Sequence, residues 1–326
     1  MPKFSGPIFL VGMPRSGTKL LRELLNRHPQ VAIPDVETEF LPWLVRRVRR
    51  LGDLADPSRF SVLYRQLSQQ SFFVYRRESG RTISAEDWYR ACMRFDAAGL
   101  FEALIRLDVG ATPESTRIWG DKSPSYIDDL TLIGALYPQA RVLHIVRDVR
   151  DYCSSLNRAW GKDMRRAAKR WALGVANARR DGVALGGRYS EVRYEDLLRN
   201  PQETLMRVCK FLDLDFSPEM LLLTRSTENL GEARGAQHVV VDNHGKFMTR
   251  IDAATLADVE QIAANSMREF GYEPVLPAQP PSWWMPIRLR IAQLHDGLQL
   301  IRHRSQGRGV FEALVFHIRY FVMTRG

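Results

Sequence analysis

An apolar run, a glycine-bearing turn and a helical pattern follow one another within residues 7–25, PIFLVGMPRSGTKLLRELL. Residues 8–11 form an apolar run bounded by Pro7 and Gly12, which is typical of a buried strand. Leucines then recur at helical spacing over residues 20–25. A strand, a glycine-bearing loop and a helix in this order direct backbone N–H groups and the helix N-terminus towards an anion. The segment therefore predicts a phosphate-binding loop at the start of an α/β domain.

The turn departs from the nucleoside-triphosphate loop, G-x-x-x-x-G-K-S/T, at two positions. Thr18 stands where that loop has its phosphate-binding lysine, and Lys19 stands where it has the hydroxyl that holds Mg²⁺. Arg15 inside the turn supplies positive charge in place of the missing lysine. The predicted loop binds phosphate without a metal ion, through Pro14, Arg15, Ser16, Gly17, Thr18 and Lys19. The alternative is an ordinary strand–turn–helix that binds nothing.

Composition and charge narrow the classes of protein to which the chain can belong. Its 326 residues are 45% hydrophobic and 10% aromatic, which is typical of a folded protein with one large domain or two domains. The formal net charge of +10 is either an ordinary basic surface or a sign of affinity for a nucleotide, an acidic substrate or a membrane face.

The cysteines and the start of the chain indicate a compartment. Cys92, Cys153 and Cys209 are scattered and odd in number, which favours reduced thiols over a disulfide framework or a zinc site. Residues 1–6 are too short and polar for a secretory signal, and no run of 18 apolar residues is present to span a membrane as a helix. We therefore expect a cytoplasmic protein, with peripheral membrane contact left open.

Four later segments have the pattern of short buried strands, at residues 31–33, 117–120, 140–146 and 190–194. Helical patterns separate them, so we predict a P-loop-like, doubly wound parallel α/β sheet of about five strands with helices on both faces. Charged side chains follow the strands at their carboxyl ends, where an open parallel sheet binds ligands. Those side chains are Glu37, Lys122 and Arg147.

Two further segments and one buried residue complete the description of the α/β region. Residues 40–115 are predicted to be a helical insertion, which either shapes an acceptor pocket or serves as scaffold alone. His144 lies inside an apolar strand and is expected to be a packed core histidine. Residues 238–248 form a loop in which Lys246 stands beside Gly245, and we include Lys246 among the predicted cofactor-binding residues.

A second phosphate-binding feature follows the strand at residues 140–146. Arg147 stands at the tip of that strand, and Ser155 lies two turns into the next helix, so both can face the same crevice. An arginine and a hydroxyl together suit a phosphate. Together with the loop at residues 12–18, this pair predicts a ligand that carries phosphates at two separated positions.

These motifs together resemble the sulfotransferase superfamily, which uses 3′-phosphoadenosine 5′-phosphosulfate. The segment from Pro14 to Thr18 is similar to the family's 5′-phosphosulfate loop, and Arg147 with Ser155 is similar to its 3′-phosphate motif. Tyr194 in VRYEDLL matches the position whose aromatic ring contacts the nucleoside. Lys122 in DKSPSY resembles the family lysine that contacts the bridging oxygen.

The resemblance implies an enzyme that moves a sulfuryl group to an acceptor hydroxyl by in-line displacement, without Mg²⁺. The segment HPQVAIPDVETEFLP is similar to one in tyrosylprotein and heparan-type enzymes, and their catalytic glutamate maps to Glu37. Glu37 would take the acceptor proton, with Glu39 as the rival carboxylate. Arg15 and Lys122 would neutralise charge on the leaving phosphate. The acceptor stays open among a glycan, a peptide tyrosine, a lipid and a metabolite.

Three other interpretations compete with a sulfotransferase. A P-loop small-molecule kinase would need ATP and Mg²⁺, which the departures in the loop do not favour. A non-catalytic nucleotide- or membrane-binding protein would not need a carboxylate beside Lys122. Nucleic-acid binding by charge alone has no helix or sheet motif to support it, so we expect no nucleic-acid partner.

The resemblance ends near residue 274, which predicts a sulfotransferase domain over residues 1–274 and an amphipathic helical tail over residues 275–326. Prolines mark the boundary, and two apolar helical faces with flanking arginines follow it. Trp283 and Trp284 precede both faces. Such a tail suits a peripheral membrane contact, a homodimer arm or packing on its own domain.

Overall fold

A central sheet of five parallel strands organises the chain in this computed structural model, which describes residues 4–111, 117–224, 235, 238–277, 287, 288 and 290. The strands are β1 (Ile8–Gly12), β2 (Val31–Ala32), β3 (Ile118–Lys122), β4 (Arg141–Val146) and β5 (Tyr189–Arg193). Their order across the sheet is β2-β3-β1-β4-β5, and each neighbouring pair is parallel. The predicted doubly wound α/β class is confirmed, with the strand before the phosphate loop at its centre.

Helices cover both faces of the sheet. Those before β3 are α1 (Thr18–Asn26), α2 (Leu41–Leu51), α3 (Pro57–Leu67), α4 (Ser71–Glu78), α5 (Ala85–Ala91) and α6 (Ala97–Asp108). Those after β3 are α7 (Leu130–Leu136), α8 (Val149–Trp160), α9 (Met164–Val183), α10 (Tyr194–Arg199), α11 (Pro201–Phe211), α12 (Phe247–Arg250) and α13 (Ala253–Glu269). Short 3₁₀ helices cover Pro124–Asp128, Gly186–Arg188 and Pro218–Leu221.

Alternating side chains along β1 build a hydrophobic core on each face of the sheet. Phe9 and Val11 join the core formed with α2–α9 and α13, whereas Ile8 and Leu10 join the core formed with α1, α10 and α11. All of these strand side chains are fully buried. Successive strand residues point to opposite faces, so a strand covered on both sides is apolar without interruption. The two cores hold β1, and thereby position the loop that leaves it.

Helices α2–α6 occupy most of the insertion predicted for residues 40–115, of which residues 112–116 lie outside the described chain. Aromatic side chains pack it together, and the ring centroids of Phe60 and Trp88 lie 4.9 Å apart in an edge-to-face arrangement. The helical character of this region is therefore confirmed. Its role in shaping an acceptor pocket stays a prediction.

A buried arginine joins the insertion to the loop after β2. Arg76 of α4 donates to Oδ1 of Asp35 at 2.5 Å and also to the carboxylate of Asp108 on α6. Burial raises the pKa of Asp108 to about 6, and the charge of Arg76 opposes that shift. One arginine thus holds together two helices of the insertion and the segment that leads to Glu37.

Each strand differs from the sequence-based prediction by one or more residues at an end, and two of these differences involve predicted site residues. β3 runs to Lys122, beyond its expected end, because it continues to pair in parallel with β1. β5 ends at Arg193, which pairs with the last residue of β4, and Tyr194 begins α10 instead of ending the strand. In both cases hydrogen bonding with a neighbouring strand sets the boundary, and the side-chain pattern does not contain that information.

The tail predicted over residues 275–326 falls largely outside the described residues, so its helices and its membrane or dimer role stay predictions. Where it begins, the backbone N–H groups of Val275 and Leu276 donate to the carboxylate of Glu260 at 3.0 and 3.2 Å. The chain is therefore held to α13 up to this point. None of the helices in the described ranges is long and apolar enough to cross a membrane.

Candidate active site

The turn between β1 and α1 has the backbone conformation of an anion-binding loop. Arg15 and Gly17 have φ values of 69° and 92°, and the N–H of Ser16 donates to the carbonyl of Met13 at 3.1 Å. Gly17 begins α1 without a side-chain cap, and the first turn of α1 carries no acidic residue. The hydroxyl of Ser16 is buried and has no hydrogen-bond partner within the described part of the chain. Helix N–H groups and a buried hydroxyl are thus left to bind an anion.

Gly17 is required both by its backbone conformation and by its neighbour. A Cβ at this position would lie 2.3 Å from Cδ2 of Tyr194, whose ring packs against the loop. We expect Gly17→Ala to lower the free energy of unfolding by more than the roughly 1–2 kcal/mol that left-handed backbone alone costs a side chain. The ring must also move, which adds to the loss. Urea unfolding of the two proteins measures the difference.

Gly80→Ala is the matched control for this prediction. Gly80 has a φ of 72°, and an added Cβ there would meet nothing within 4 Å. The control therefore isolates the cost of the backbone conformation from the cost of the clash. Equal losses in the two variants would show that the ring of Tyr194 moves aside without cost.

Arg147 joins the loop to two later segments of the chain. Its guanidinium donates to the carbonyl of Arg15 at 3.0 Å and to that of Asn243 at 3.1 Å. It also lies 4.6 Å from the ring centroid of Tyr194, a cation–π arrangement. Arg147 is buried, and its Nε has no hydrogen-bond partner among the described residues. Because both acceptors are neutral carbonyls, a bound anion would compensate the buried charge.

Ser155 stands on α8 beside the same loop. Nε of Arg15 donates to Oγ of Ser155 at 3.3 Å, so the two phosphate-binding features predicted from sequence meet. They lie at the carboxyl ends of β1 and β4, which are adjacent strands. The other predicted loop residues, Pro14, Thr18 and Lys19, lie in the same turn and at the start of α1.

Lys246 lies in a turn at residues 243–247, which reaches the same cluster and whose last residue, Phe247, begins α12. Asn243 of this turn donates its side-chain amide to the hydroxyl of Tyr194 at 2.8 Å, and its carbonyl accepts from Arg147. Sequence reasoning missed Asn243, since nothing in a loop rich in small and polar residues indicates which of them reaches the site. The structure thus brings the turn, Arg147 and Tyr194 together.

Glu37 and Lys122 form an ion pair on the other side of the phosphate loop. Nζ of Lys122 donates to Oε1 of Glu37. The side chain of Lys122 is 1% exposed and that of Glu37 is 37% exposed, so the carboxylate is open to solvent while the ammonium is buried behind it. Burial lowers the pKa of Lys122, the charge of Glu37 opposes that shift, and the charge of buried Arg22 adds to it.

Two hydroxyl groups that follow β3 hold the Glu37 loop in place. Oγ of Ser123 accepts the N–H of Thr38 at 3.0 Å. Oη of Tyr126 lies 2.7 Å from Oγ1 of Thr38 and accepts the N–H of Leu41 at 2.9 Å. Sequence reasoning singled out Lys122 in the segment DKSPSY and did not predict that the hydroxyl groups of Ser123 and Tyr126 hold this loop. Both are buried, so they support the loop from the protein side.

Glu39, the rival carboxylate, differs from Glu37 in its surroundings. Its backbone has a φ of 55°, and its side chain is exposed at the edge of the loop. Partial desolvation by the protein around it raises the pKa of Glu39, the charge of Glu37 raises it further, and Lys122 opposes the shift. Glu37 makes the direct contact with Lys122. The geometry therefore favours Glu37 as the carboxylate that works with the lysine.

The order of the strands sets the two halves of the site side by side. β1 lies between β3 and β4, so the loop after β1 has Lys122 on one side and Arg147 on the other. Neighbouring strands are roughly 5 Å apart, so a ligand seated on the loop reaches both. The strands that follow β1 along the chain lie on both sides of it, with β2 and β3 on one side and β4 and β5 on the other. In open α/β sheets, ligands bind in the crevice at the carboxyl ends of the strands where the order divides in this way. Within the described ranges, no group of His, Cys, Asp or Glu side chains has an arrangement that could hold a metal ion.

Comparison with known proteins points to one family. The family model described as "Sulfotransferase family" matches residues 7–218. Protein-tyrosine sulfotransferase A of Caenorhabditis elegans is 24% identical over 305 residues, which cover 89% of this chain and 72% of that protein. Nodulation protein NoeE of Sinorhizobium fredii is 26% identical over 301 residues, which cover 81% of this chain and 65% of that protein. The solved sulfotransferase domain from the Synechococcus PCC 7002 olefin synthase has a TM-score of 0.53 at 25% identity, covering 85% of this chain and 98% of that one.

Proposed function

Because this chain belongs to the sulfotransferase family and is a sulfotransferase, we propose that it moves a sulfuryl group from 3′-phosphoadenosine 5′-phosphosulfate to an acceptor hydroxyl. The observation that carries the proposal is the position of the phosphate loop between two sets of charged groups. Lys122 with Glu37 lies on the side of β3, and Arg147 lies on the side of β4. This arrangement suits a donor whose reacting sulfur lies at one end and whose second phosphate lies at the other.

The nucleotide half of the donor would bind on the Arg147 side of the loop. The 5′-phosphosulfate would accept from the N–H groups at the start of α1 and from the buried hydroxyl of Ser16, which has no partner in the described chain. Arg147 and Ser155 would hold the 3′-phosphate, and the ring of Tyr194 would contact the nucleoside. Lys246 would add positive charge from the turn above them. The neutral carbonyl partners of Arg147 support this assignment, because they leave its charge for the phosphate.

The chemical step proposed is an in-line displacement at sulfur. The bond from the acceptor oxygen to sulfur forms as the bond from sulfur to the phosphate oxygen breaks. The acceptor proton passes to the carboxylate of Glu37, and negative charge passes to the leaving phosphate. Arg15 and Lys122 would neutralise that charge. An ammonium group has three N–H donors, so the contact of Lys122 with Glu37 leaves two for the leaving oxygen.

The acceptor would enter beside Glu37, next to the helical insertion. Arg76 of α4 binds Asp35, two residues before Glu37, so the insertion is joined to the wall of this proposed pocket. The likeness to a protein-tyrosine sulfotransferase supports a peptide tyrosine as the first acceptor to test. Glycans, lipids and small metabolites with a free hydroxyl are the other classes.

Binding and transfer assays test this function. We expect adenosine 3′,5′-bisphosphate to bind in calorimetry without Mg²⁺. We expect radiolabelled sulfate to move from the donor to one class in a screen of tyrosyl peptides, glycans, lipids and phenolic metabolites, and a chelator to leave the rate unchanged. Binding of ATP with Mg²⁺ in place of the bisphosphate would favour a kinase. Binding of the bisphosphate with no transfer to any class would favour a non-catalytic nucleotide-binding protein.

A further inference from the structure

A buried aspartate of α8 anchors the turn at residues 243–247. The carboxylate of Asp151 accepts the N–H of Gly245 at 2.5 Å through Oδ2 and the N–H of Phe247 at 3.0 Å through Oδ1. Asp151 is buried, its bond to Phe247 is buried and its bond to Gly245 is partly buried. Charge-assisted hydrogen bonds are strong where water is excluded. Phe247 is buried as well, and the guanidinium of Arg150 lies 4.1 Å from its ring centroid. The C-terminal end of the turn is therefore held firmly to α8.

From this anchor the turn reaches across to the proposed 3′-phosphate site. The carbonyl of Asn243 accepts from Nη2 of Arg147 at 3.1 Å, and its side-chain amide donates to the hydroxyl of Tyr194 at 2.8 Å. Gly245, between Asn243 and the anchor, has a φ of 70°, a conformation that glycine adopts without strain. A short and sharply bent piece of backbone thus connects Asp151 to both groups proposed to hold the nucleotide.

One face of α8 holds both the turn and the phosphate loop. Asp151 and Ser155 are four residues apart, and residues at this spacing are neighbours on a helix surface. Ser155 accepts from Nε of Arg15 in the phosphate loop at 3.3 Å. The helix therefore sets the position of the turn relative to the loop, through two polar side chains on consecutive helical turns.

We propose that Asp151 is a positioning residue for donor binding, which fixes the 243–247 turn against Arg147 and thereby sets the affinity for the 3′-phosphate. The inference rests on the proposed function, because it takes Arg147 as the group that binds this phosphate. The carboxylate oxygens of Asp151 accept from backbone N–H groups, so its effect passes through the turn. A turn that is already held in place loses less conformational entropy when the donor binds.

The test compares two ligands that differ only in the 3′-phosphate, adenosine 3′,5′-bisphosphate and adenosine 5′-monophosphate, by calorimetry. Asp151→Ala should weaken binding of the bisphosphate about tenfold and binding of the monophosphate less than about twofold. A tenfold loss is expected when one charge-assisted hydrogen bond, here between Arg147 and the 3′-phosphate, is lost. Asp151→Asn should act in the same direction, because it keeps the size of the side chain but loses the charge and one acceptor oxygen. In an Arg147→Ala background, Asp151→Ala should add little, because the effect passes through Arg147.

Asp163→Ala is the matched control. Asp163 accepts the N–H groups of Arg165 and Arg166 at 2.9 and 3.1 Å at the start of α9, so its removal loses the same kind of contact. We expect this control to lower stability without changing the ratio of the two affinities. Hydrogen exchange is a second measurement, and the amides of Gly245 and Phe247 should exchange faster in both Asp151 variants.

The outcomes separate this inference from the function on which it rests. Equal affinity of the wild-type protein for the two nucleotides would contradict the proposed function itself. Wild-type discrimination that persists in both Asp151 variants would overturn the role of Asp151 alone. Equal weakening of the two nucleotides would also overturn it, because a general structural defect acts on both. Unchanged exchange at Gly245 and Phe247 would show that Asp151 is not the anchor.

Discussion

Glutamine in place of Glu37 should lower the turnover of sulfuryl transfer by about 10²–10⁴-fold, while the affinity for adenosine 3′,5′-bisphosphate stays nearly unchanged. The proposed role of this carboxylate is to take the acceptor proton, and an amide has no basic group for that step. Glutamine keeps the size of the side chain and an oxygen that accepts from Nζ of Lys122, so the contact seen in the structure is preserved. Initial rates with the acceptor found by the screen report the chemistry, and calorimetry with the bisphosphate reports the binding.

Glu39→Gln is the control, because it makes the same chemical change two residues along the same loop. We expect it to lower turnover by no more than a few-fold, since the structure gives the contact with Lys122 to Glu37. Ser123 and Tyr126 support the loop in both variants, so its position should not differ between them. Loss of activity in Glu39→Gln alone would make Glu39 the base. Activity in both variants would mean that this loop does not remove the proton.

Alanine in place of Arg147 should weaken adenosine 3′,5′-bisphosphate far more than adenosine 5′-phosphosulfate, because only the first ligand has the 3′-phosphate that Arg147 would hold. Truncating a buried, charge-assisted contact costs roughly 2–5 kcal/mol, which is about thirtyfold or more in the dissociation constant. The structure supports a loss of this size, since the guanidinium is buried and its Nε has no partner in the described chain. Calorimetry with both ligands on both proteins measures the two losses.

Arg179→Ala is a matched control for the removal of a packed arginine. Arg179 lies 3.7 Å from the ring centroid of Phe270 and donates to the carbonyl of Glu269 at 2.8 Å, which are the two kinds of contact that Arg147 has. Unlike Arg147, it is also ion-paired, with Glu191. Its removal should lower stability and leave both affinities as they are. Equal losses of the two ligands in Arg147→Ala would assign Arg147 a different role, which is to hold the phosphate loop through the carbonyl of Arg15.

The features predicted correctly from sequence depend on residues that are close together along the chain. The apolar run at residues 8–11 is a strand buried on both faces, and Gly17, in the turn predicted to bind phosphate, has a left-handed backbone. The helices at residues 41–108 follow from local periodicity and short-range caps, such as the hydroxyl of Ser84 that accepts the N–H of Asp87 at 3.0 Å. These properties depend on the order of neighbouring side chains.

The supporting contacts that sequence reasoning missed join residues that are far apart along the chain. Ser123 supports the loop of Thr38 across 85 residues, and Asp151 anchors Gly245 across 94 residues. A side-chain pattern reports which residues are buried and on which face of an element they lie. It contains no information on which buried polar groups meet, because that depends on how the elements pack.

Local residue patterns were sufficient for the class of fold and for the strand, turn and helix at residues 7–25, because periodicity and turn chemistry act over a few residues. The roles of the predicted site residues stay predictions. The arrangement of those residues required the packed molecule. The strand order β2-β3-β1-β4-β5 puts Lys122 and Arg147 on opposite sides of the loop, and the pairing of β3 with β1 carries the strand as far as Lys122. Strand order and register are set by hydrogen bonds between distant segments and by the two cores that cover the sheet, and neither is a property of any short stretch of sequence.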